Sequence, residues 1–279
     1  MLFIISLISF IAINLAPNSF FASGELNPNI TPEAIEELKK IYGLDKPLYI
    51  QFFSWIYSIL QLDFGISFTS GEKVKEEILS RIPITLTINI VSMILIFIIS
   101  LYFGIKSAMK KNSIFDRFTN QLSLLSFSMP SFYLALVLVL VFSIKFELFP
   151  IAGLHSVPND GSLNYYLDFA WHLTLPIFII VFGGIGSLIL YIRALTIEIL
   201  KSDYIFFARA RGLDNKKILR YYILPNLYPP VITLLGLSLP GIIGGSVILE
   251  TIFSIDGMGL LFYQSALSHD YPVIMGILI

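Results

Sequence analysis

Apolar positions in this chain gather into runs, several of them near the ~20 residues that a helix needs to cross a bilayer core. Four such runs cover residues 84–105, 118–146, 173–192 and 231–249. A shorter one, 2–15, opens the chain. It reads either as a first transmembrane helix or as a signal peptide, because "FFASG" at 20–24 offers small residues for cleavage. A signal peptide wants a positively charged start, and no Lys or Arg precedes this run, so the helix is the favoured reading, with its lead-in missing. A last run begins at Tyr271 and reaches only Ile279, too short to cross a ~30 Å core. The pattern predicts an all-α integral membrane protein with five complete spans plus a truncated sixth.

Between the first two runs lies a polar region. "TPEAIEELKKIYGL" (31–44) predicts an amphipathic helix: Thr31 as N-cap, Pro32 in the first turn, acids early, lysines late and Gly43 as the stop. "DKPLYIQFFSWIYSILQL" (45–62) predicts an aromatic helix at the membrane surface. "SGEKVKEEILSRIP" (70–83) predicts a third, ended by Pro83. The expected organisation is a first transmembrane helix at 1–16, an extracytoplasmic helical region at 17–82 and a core transmembrane domain at 83–279 with a cytoplasmic loop at 197–227.

Composition sharpens the class. Only 13% of the residues are charged, about half the usual share of a soluble domain. With no Cys, thiolate metal sites, disulfides and a Cys nucleophile are excluded. The three His (His155, His172, His269) are too dispersed to predict a metal cage. Charged residues are nearly absent from the apolar runs, which argues against a proton-coupled pump or a voltage sensor. A hydrolase is a distant reading, since no nucleophile–base pair falls within a span.

The charges are unevenly placed. Residues 106–117 and 193–220 together hold eleven of the 18 Lys and Arg but four of the 19 Asp and Glu. An excess of Lys and Arg in short loops marks the cytoplasmic side. The expectation is therefore 106–117 and 193–230 inside, and 17–82, 147–172 and 252–270 outside.

The second basic loop has a structure of its own. "SDYIFFARARG" and "DNKKILRYYIL" each read as a short helix, broken at Gly212 and capped by Asp214, with Pro225 as a stop. Tyr204, Phe206, Phe207, Tyr221 and Tyr222 place aromatic surface in a loop that should face water. Apolar surface of that kind usually needs a partner.

Ala208, Gly212, Leu224 and Pro225 fall on the pattern Glu-Ala-Ala, three residues, Gly, nine residues, Ile-x-Leu-Pro. The stretch thereby resembles the cytoplasmic "EAA" loop of binding-protein-dependent ABC importer permeases. Phe206, Phe207 and Tyr222 depart from it at the Glu, first Ala and Ile positions. The resemblance runs along nearly the whole chain and is to the dipeptide, oligopeptide and nickel branch. It is carried by "YGLDKPLYIQF" (42–52), "LDFGIS" (62–67), "RIPITLTI" (81–88), "SIFDR" (113–117), "SMPSFYLALVLV" (128–139), "DYIFFARARGL" (203–213), "GGSVILETIFSIDGMGLL" (244–261) and "HDYPVIMG" (269–276).

The resemblance implies a type I ABC importer transmembrane-domain fold in the inner membrane. It implies a transport subunit rather than an enzyme, with Phe207, Ala208, Arg211, Gly212, Leu224 and Pro225 coupling it to an ATPase. Implied partners are a second homologous permease subunit, two ATP-binding cassette subunits, an extracytoplasmic substrate-binding protein and membrane lipid, with no nucleic acid. No cofactor is expected in this chain, since ATP and Mg belong to the partner subunits. "GISFTSGEKV" (65–74) lacks the Gly-Lys-Ser/Thr ending of a phosphate loop. For the path through the membrane, Ser123, Ser126 and Pro130 share one helix face, although serines also serve close helix packing. Pro240 lies in a Gly-rich run that either flexes along a cavity or packs closely, and Glu250 is a gate or an interfacial anchor. Cargo stays open between di- or oligopeptides and nickel. A stand-alone secondary transporter or channel is the alternative function.

Overall fold

The structure, a computed structural model, describes residues 6–8, 10–11 and 46–278. Most of the run at 2–15, "FFASG" and the helix expected at 31–44 lie outside these residues, although 6–8 and 10–11 are helical. The chain divides into two compact units, Ile84–Ile255 and the combination of Met1–Pro83 with Asp256–Ile279.

Two long helices dominate, α2 (Val74–Met109) and α5 (Leu163–Leu200). At 1.5 Å per residue each is over 50 Å long, well beyond a ~30 Å core. The runs at 84–105 and 173–192 fall inside them. Pro83 does not end a helix as expected but lies within α2. A missing N–H removes one rung of the ladder, and the long apolar stretch that follows keeps the rest.

The run at 118–146 is not one straight span. It forms α3 (Ile114–Ser128) and α4 (Ser131–Leu138), which continues through wide i→i+5 turns at Val139–Lys145. The two parts meet at 98°. Pro130 causes this locally: it offers no N–H, and it pushes Met129 out of the helical region to ψ 120°. The fourth run bends less, by 41°. A short helix, α7 (Asn215–Ile218), passes through a wide turn at Leu219–Ile223 into α8 (Leu224–Ser238), and α9 (Gly241–Gly244) and α10 (Val247–Ile252) follow. Among the described residues, two helices are long and apolar enough to cross a membrane, or up to four spans if each bent pair counts as one.

Pro225 also departs from expectation. It sits where the wide turn Leu219–Ile223 passes into α8, and the chain runs helically on both sides of it. It does not stop the preceding helix.

Within Ile84–Ile255, α3 lies against α5 at one glycine. A Cβ on Gly186 would stand 2.5 Å from the Ser123 carbonyl oxygen and 2.8 Å from Ser126 Oγ. Only hydrogen fits there. Ser126 Oγ donates across the contact to the Phe182 carbonyl, and Ser123 Oγ donates to Thr119 O at 2.8 Å within α3.

The other unit carries α1 (Leu48–Leu60), α11 (Met258–Ser268) and α12 (Tyr271–Ile277). Phe52 of α1 is buried with Phe10 and Met275, while Phe53, Tyr57 and Leu60 of the same helix are exposed. That two-faced arrangement suits a helix lying at an interface. The turn at 65–73 is pinned by Asp270. Its buried carboxylate accepts from Ser67 Oγ at 2.6 Å, Thr69 N at 3.0 Å and Phe68 N at 3.1 Å. The backbone amides of this loop are thus used on the chain's own carboxylate.

Candidate functional site

The basic loop begins where α5 ends. Ser202 starts α6 (Asp203–Ala210), an eight-residue helix with two faces. Ile205 and Ala208, three positions apart, turn the same way. Ala208 is 2% exposed, and both belong to one buried cluster with Ile105, Ile192, Ile218, Ile223 and Leu227. Each large aliphatic side chain buried this way contributes ~1.5–3 kcal/mol. Phe206 and Phe207 face outward at 69% and 60% exposure, with ring centroids 5.7 Å apart. The ring of Tyr204 stacks on Tyr222 at 6.3 Å, tying α6 to the wide turn before α8.

Gly212 closes α6. It adopts φ +79°, its N–H donates to Arg209 O at 2.9 Å, and the N–H of Leu213 donates to Ala208 O at 3.2 Å. This is a helix stop built on a left-handed residue. Asp214 then caps α7 by accepting from the Lys217 N–H at 2.8 Å. Arg211 and Pro225 are exposed and Leu224 is half-buried. Of the loop residues singled out in the sequence, Phe207, Arg211 and Pro225 are therefore available to a partner from outside. Ala208 faces the chain's own core.

Beside this loop is an ion pair that the charge count hides. Arg193 of α5 donates to Asp116 of α3 through Nε at 2.7 Å and Nη2 at 2.8 Å. Ser107 of α2 donates to the same carboxylate, as do the Asn112 N–H at 2.9 Å and Asn120 Nδ2 at 3.2 Å. Fork-to-fork pairing of this kind fixes direction as well as distance. It joins three helices. In the sequence each reads as one more loop charge; an Arg at the end of an apolar run is the available signal.

Cavities lie between the helices of Ile84–Ile255, and two of them meet at Asn89 and Ile180. The larger, about 550 Å³, is bounded by α2, α5, α8 and α9. Its polar groups are Asn89, Ser92, Ser187, Tyr191 and Ser238, and no charged residue lines it. Asn89 Nδ2 donates to Ile242 O at 2.6 Å. Ser92, 1% exposed, has an Oγ with no hydrogen-bond partner among the described residues. The second cavity, about 380 Å³, shares Asn89 and Ile180 with the first and is also lined by Ser126, Met129 and Ser131. So Ser126 reaches a cavity, and Pro130 lies between two residues that do. Pro240 falls between Ser238 and Gly241, which line the larger cavity. Ser123 is committed to the contact with Gly186. Glu250 is 4% exposed and accepts from Thr85 Oγ1 at 3.3 Å. Asn89 and Ser92 had no distinguishing mark in the sequence, being single polar residues in an apolar run.

The loop and the larger cavity share their helices. Leu188 and Tyr191 of α5 line the cavity, and α5 ends nine residues past Tyr191, about 14 Å further along its axis. On the other side, α8 starts at Leu224 and lines the cavity at Leu234 and Ser238. α6 hangs between the two.

The sequence pattern of the binding-protein-dependent transport system inner membrane component matches residues 96–279, and that of the N-terminal part of such membrane components matches 1–89. The chain is 36% identical over 272 residues to the oligopeptide transport system permease protein AppB of Bacillus subtilis, covering 97% of this chain and 85% of that protein. It is 34% identical over 275 residues to the dipeptide transport system permease protein DppB of Lactococcus lactis, covering 98% and 85%. Against the peptidoglycan transport system permease protein YejB of Agrobacterium fabrum it is 32% identical over 255 residues, covering 89% and 70%. Matched in both its N-terminal and its main part, and similar to these permeases over nearly its whole length, the chain belongs to the family of binding-protein-dependent transport system inner membrane components, the permease subunits of ABC importers.

Proposed function

We propose that this permease passes peptides inward and that α6 is the element through which ATPase subunits drive it. The observation that carries this reading is the position of α6: two exposed phenylalanines on a helix held between α5 and α8, both of which line the larger cavity. A push on Phe206 and Phe207 reaches the cavity wall through the buried cluster that joins Ile205 and Ala208 to Ile192 of α5 and Leu227 of α8. Packed helices respond to such a push by rigid-body motion between discrete arrangements. The complete transporter then consists of this chain, a second related permease, two ATPase subunits that bind ATP and Mg, and a binding protein on the outer side. Residues 106–117 and 193–230 face the cytoplasm, and 17–82 receives the binding protein.

Peptide is preferred to a nickel chelate on two grounds. The relatives named above carry peptide or peptidoglycan cargo in their names. The cavity offers hydroxyls and an amide without charge, which suits main-chain N–H and C=O groups flanked by variable side chains.

The test is the double substitution of Phe206 and Phe207 by Ser. Both side chains are exposed, so insertion and folding are expected to be retained. Co-purification of the ATPase and peptide uptake are expected to fall at least tenfold, whereas Lys216→Ala with Lys217→Ala leaves both within twofold. Uptake should also collapse on ATP depletion and survive a protonophore while ATP is held constant. Normal uptake by the double Ser variant, or uptake that follows the proton gradient, would overturn the reading.

A further inference from the structure

Next to the basic loop, α2 presents two parallel rows. Leu101, Ile105 and Met109 recur every four residues, and Tyr102, Lys106 and, one residue past the end of the helix, Lys110 form the adjacent row. With Leu219 and Leu224 they line a groove of about 410 Å³. From Leu101 to Met109 the apolar row advances about 12 Å along the helix, a length comparable with the ~15 Å that an acyl chain takes up in one leaflet. The basic row runs beside it, from Tyr102 to Lys110.

The lysines lack a counter-charge. Lys106 Nζ donates to Tyr102 OH at 2.6 Å and lies 4.7 Å from the ring centroids of Tyr102 and Phe115. Among the described residues, no carboxylate comes within ion-pair distance of Lys106 or Lys110. Asp116, the one acid in the 106–117 loop, is taken by Arg193. An apolar groove flanked by two ammonium groups without a counter-charge is complementary to an acyl chain bearing an anionic head.

We propose that this groove is a binding site for an anionic phospholipid, with the phosphate between Lys106 and Lys110 and an acyl chain along Leu101, Ile105, Met109, Leu219 and Leu224. The site joins α2 to the wide turn beside α6, so a bound lipid braces the base of the loop against the long helix. Assignment to the inner leaflet rests on the proposed orientation of the chain. The site itself does not, and it is tested in detergent without reference to transport.

The chain in a neutral detergent is titrated with phosphatidylglycerol or with phosphatidylcholine of the same acyl chains, and bound lipid is counted by native mass spectrometry. Phosphatidylglycerol is expected to bind roughly thirty-fold tighter, the size expected of two lysines near an anionic headgroup. Lys110→Gln should remove about half of that preference on a logarithmic scale, and Lys106→Gln with Lys110→Gln should bring it near unity. Lys216→Gln with Lys217→Gln, outside the groove, should keep it. Because Lys106 also contacts Tyr102 and Phe115, the Lys110→Gln result stands by itself if the double variant is unstable. Millimolar inorganic phosphate should not compete, since it lacks the chain. The proposal is overturned if wild type binds the two lipids equally, if Lys110→Gln keeps the full preference, or if phosphate displaces the lipid. It is equally overturned if the preference vanishes in the assembled transporter, which would give the groove to a protein partner.

Discussion

Gly212 shows how much one backbone angle decides. At φ +79° a Cβ would meet no atom within 4 Å, so crowding plays no part. The cost of a side chain is conformational, about 1–3 kcal/mol for a non-glycine residue in this region, larger for a β-branched one and smaller for Asn. Strain of that size either distorts the stop or lets α6 run on, and both turn Phe206 and Phe207 away from their present direction. A graded series follows: Gly212→Asn near wild type, Gly212→Ala intermediate, Gly212→Val lowest in uptake, with ATP hydrolysis retained and membrane insertion unchanged. Uptake and hydrolysis measured in one vesicle preparation check it, and equal uptake by Ala and Val would show that the left-handed stop is unneeded. Ala208 behaves differently. Its side chain is enclosed by the chain's own isoleucines, so Ala208→Glu acts by opening the loop rather than by spoiling a docked surface.

At the scale of elements, the prolines separate what the sequence reveals from what it conceals. Pro130 breaks a run and bends it by 98°, whereas Pro83 and Pro225 leave helices intact. The residue type is the same, and the outcome differs at the flanks: Met129 leaves the helical region before Pro130, whereas helix continues on both sides of Pro83 and Pro225. Short-range chemistry was legible: the Gly212 stop, the Asp214 cap, the aromatic helix at Leu48–Leu60 and the helices of the apolar runs all follow from local preference. The Asp116–Arg193 pair was not, because 77 residues separate its members and each looked like one more loop charge. That pair holds α2, α3 and α5 together. Removing one partner leaves the other charge poorly paired, at a cost of about 3–5 kcal/mol, while replacing both by apolar residues of similar size is often neutral. Asp116→Leu and Arg193→Met singly should each lower the yield of folded protein sharply, and the double variant should recover most of it. Size-exclusion profiles and thermal melting in detergent read the outcome. Additive losses in the double variant would mean that the two side chains act separately.

At the scale of the whole molecule, the orientation is carried by charge alone. Eleven basic residues against four acidic ones in the loops at 106–117 and 193–220 face seven against fifteen elsewhere. Each cation carried across the apolar core is costly, by ~2.5–3.5 kcal/mol on insertion scales, so reversing the topology would move the expensive loops outward. The absence of native Cys gives a clean background for testing this by chemistry. Single cysteines at Lys111, Lys217 and Asn159, all exposed, report on the two basic loops and on the loop between α4 and α5. In intact cells a membrane-impermeant maleimide is expected to label Asn159→Cys and to spare Lys111→Cys and Lys217→Cys. After permeabilisation all three should react, which shows that the spared sites were shielded by the membrane and not by the fold. Labelling at Lys217→Cys from outside would place α6 on the wrong side for a cytoplasmic ATPase. The proposed coupling, the docking of the binding protein on 17–82 and the leaflet assigned to the phospholipid groove would fall together.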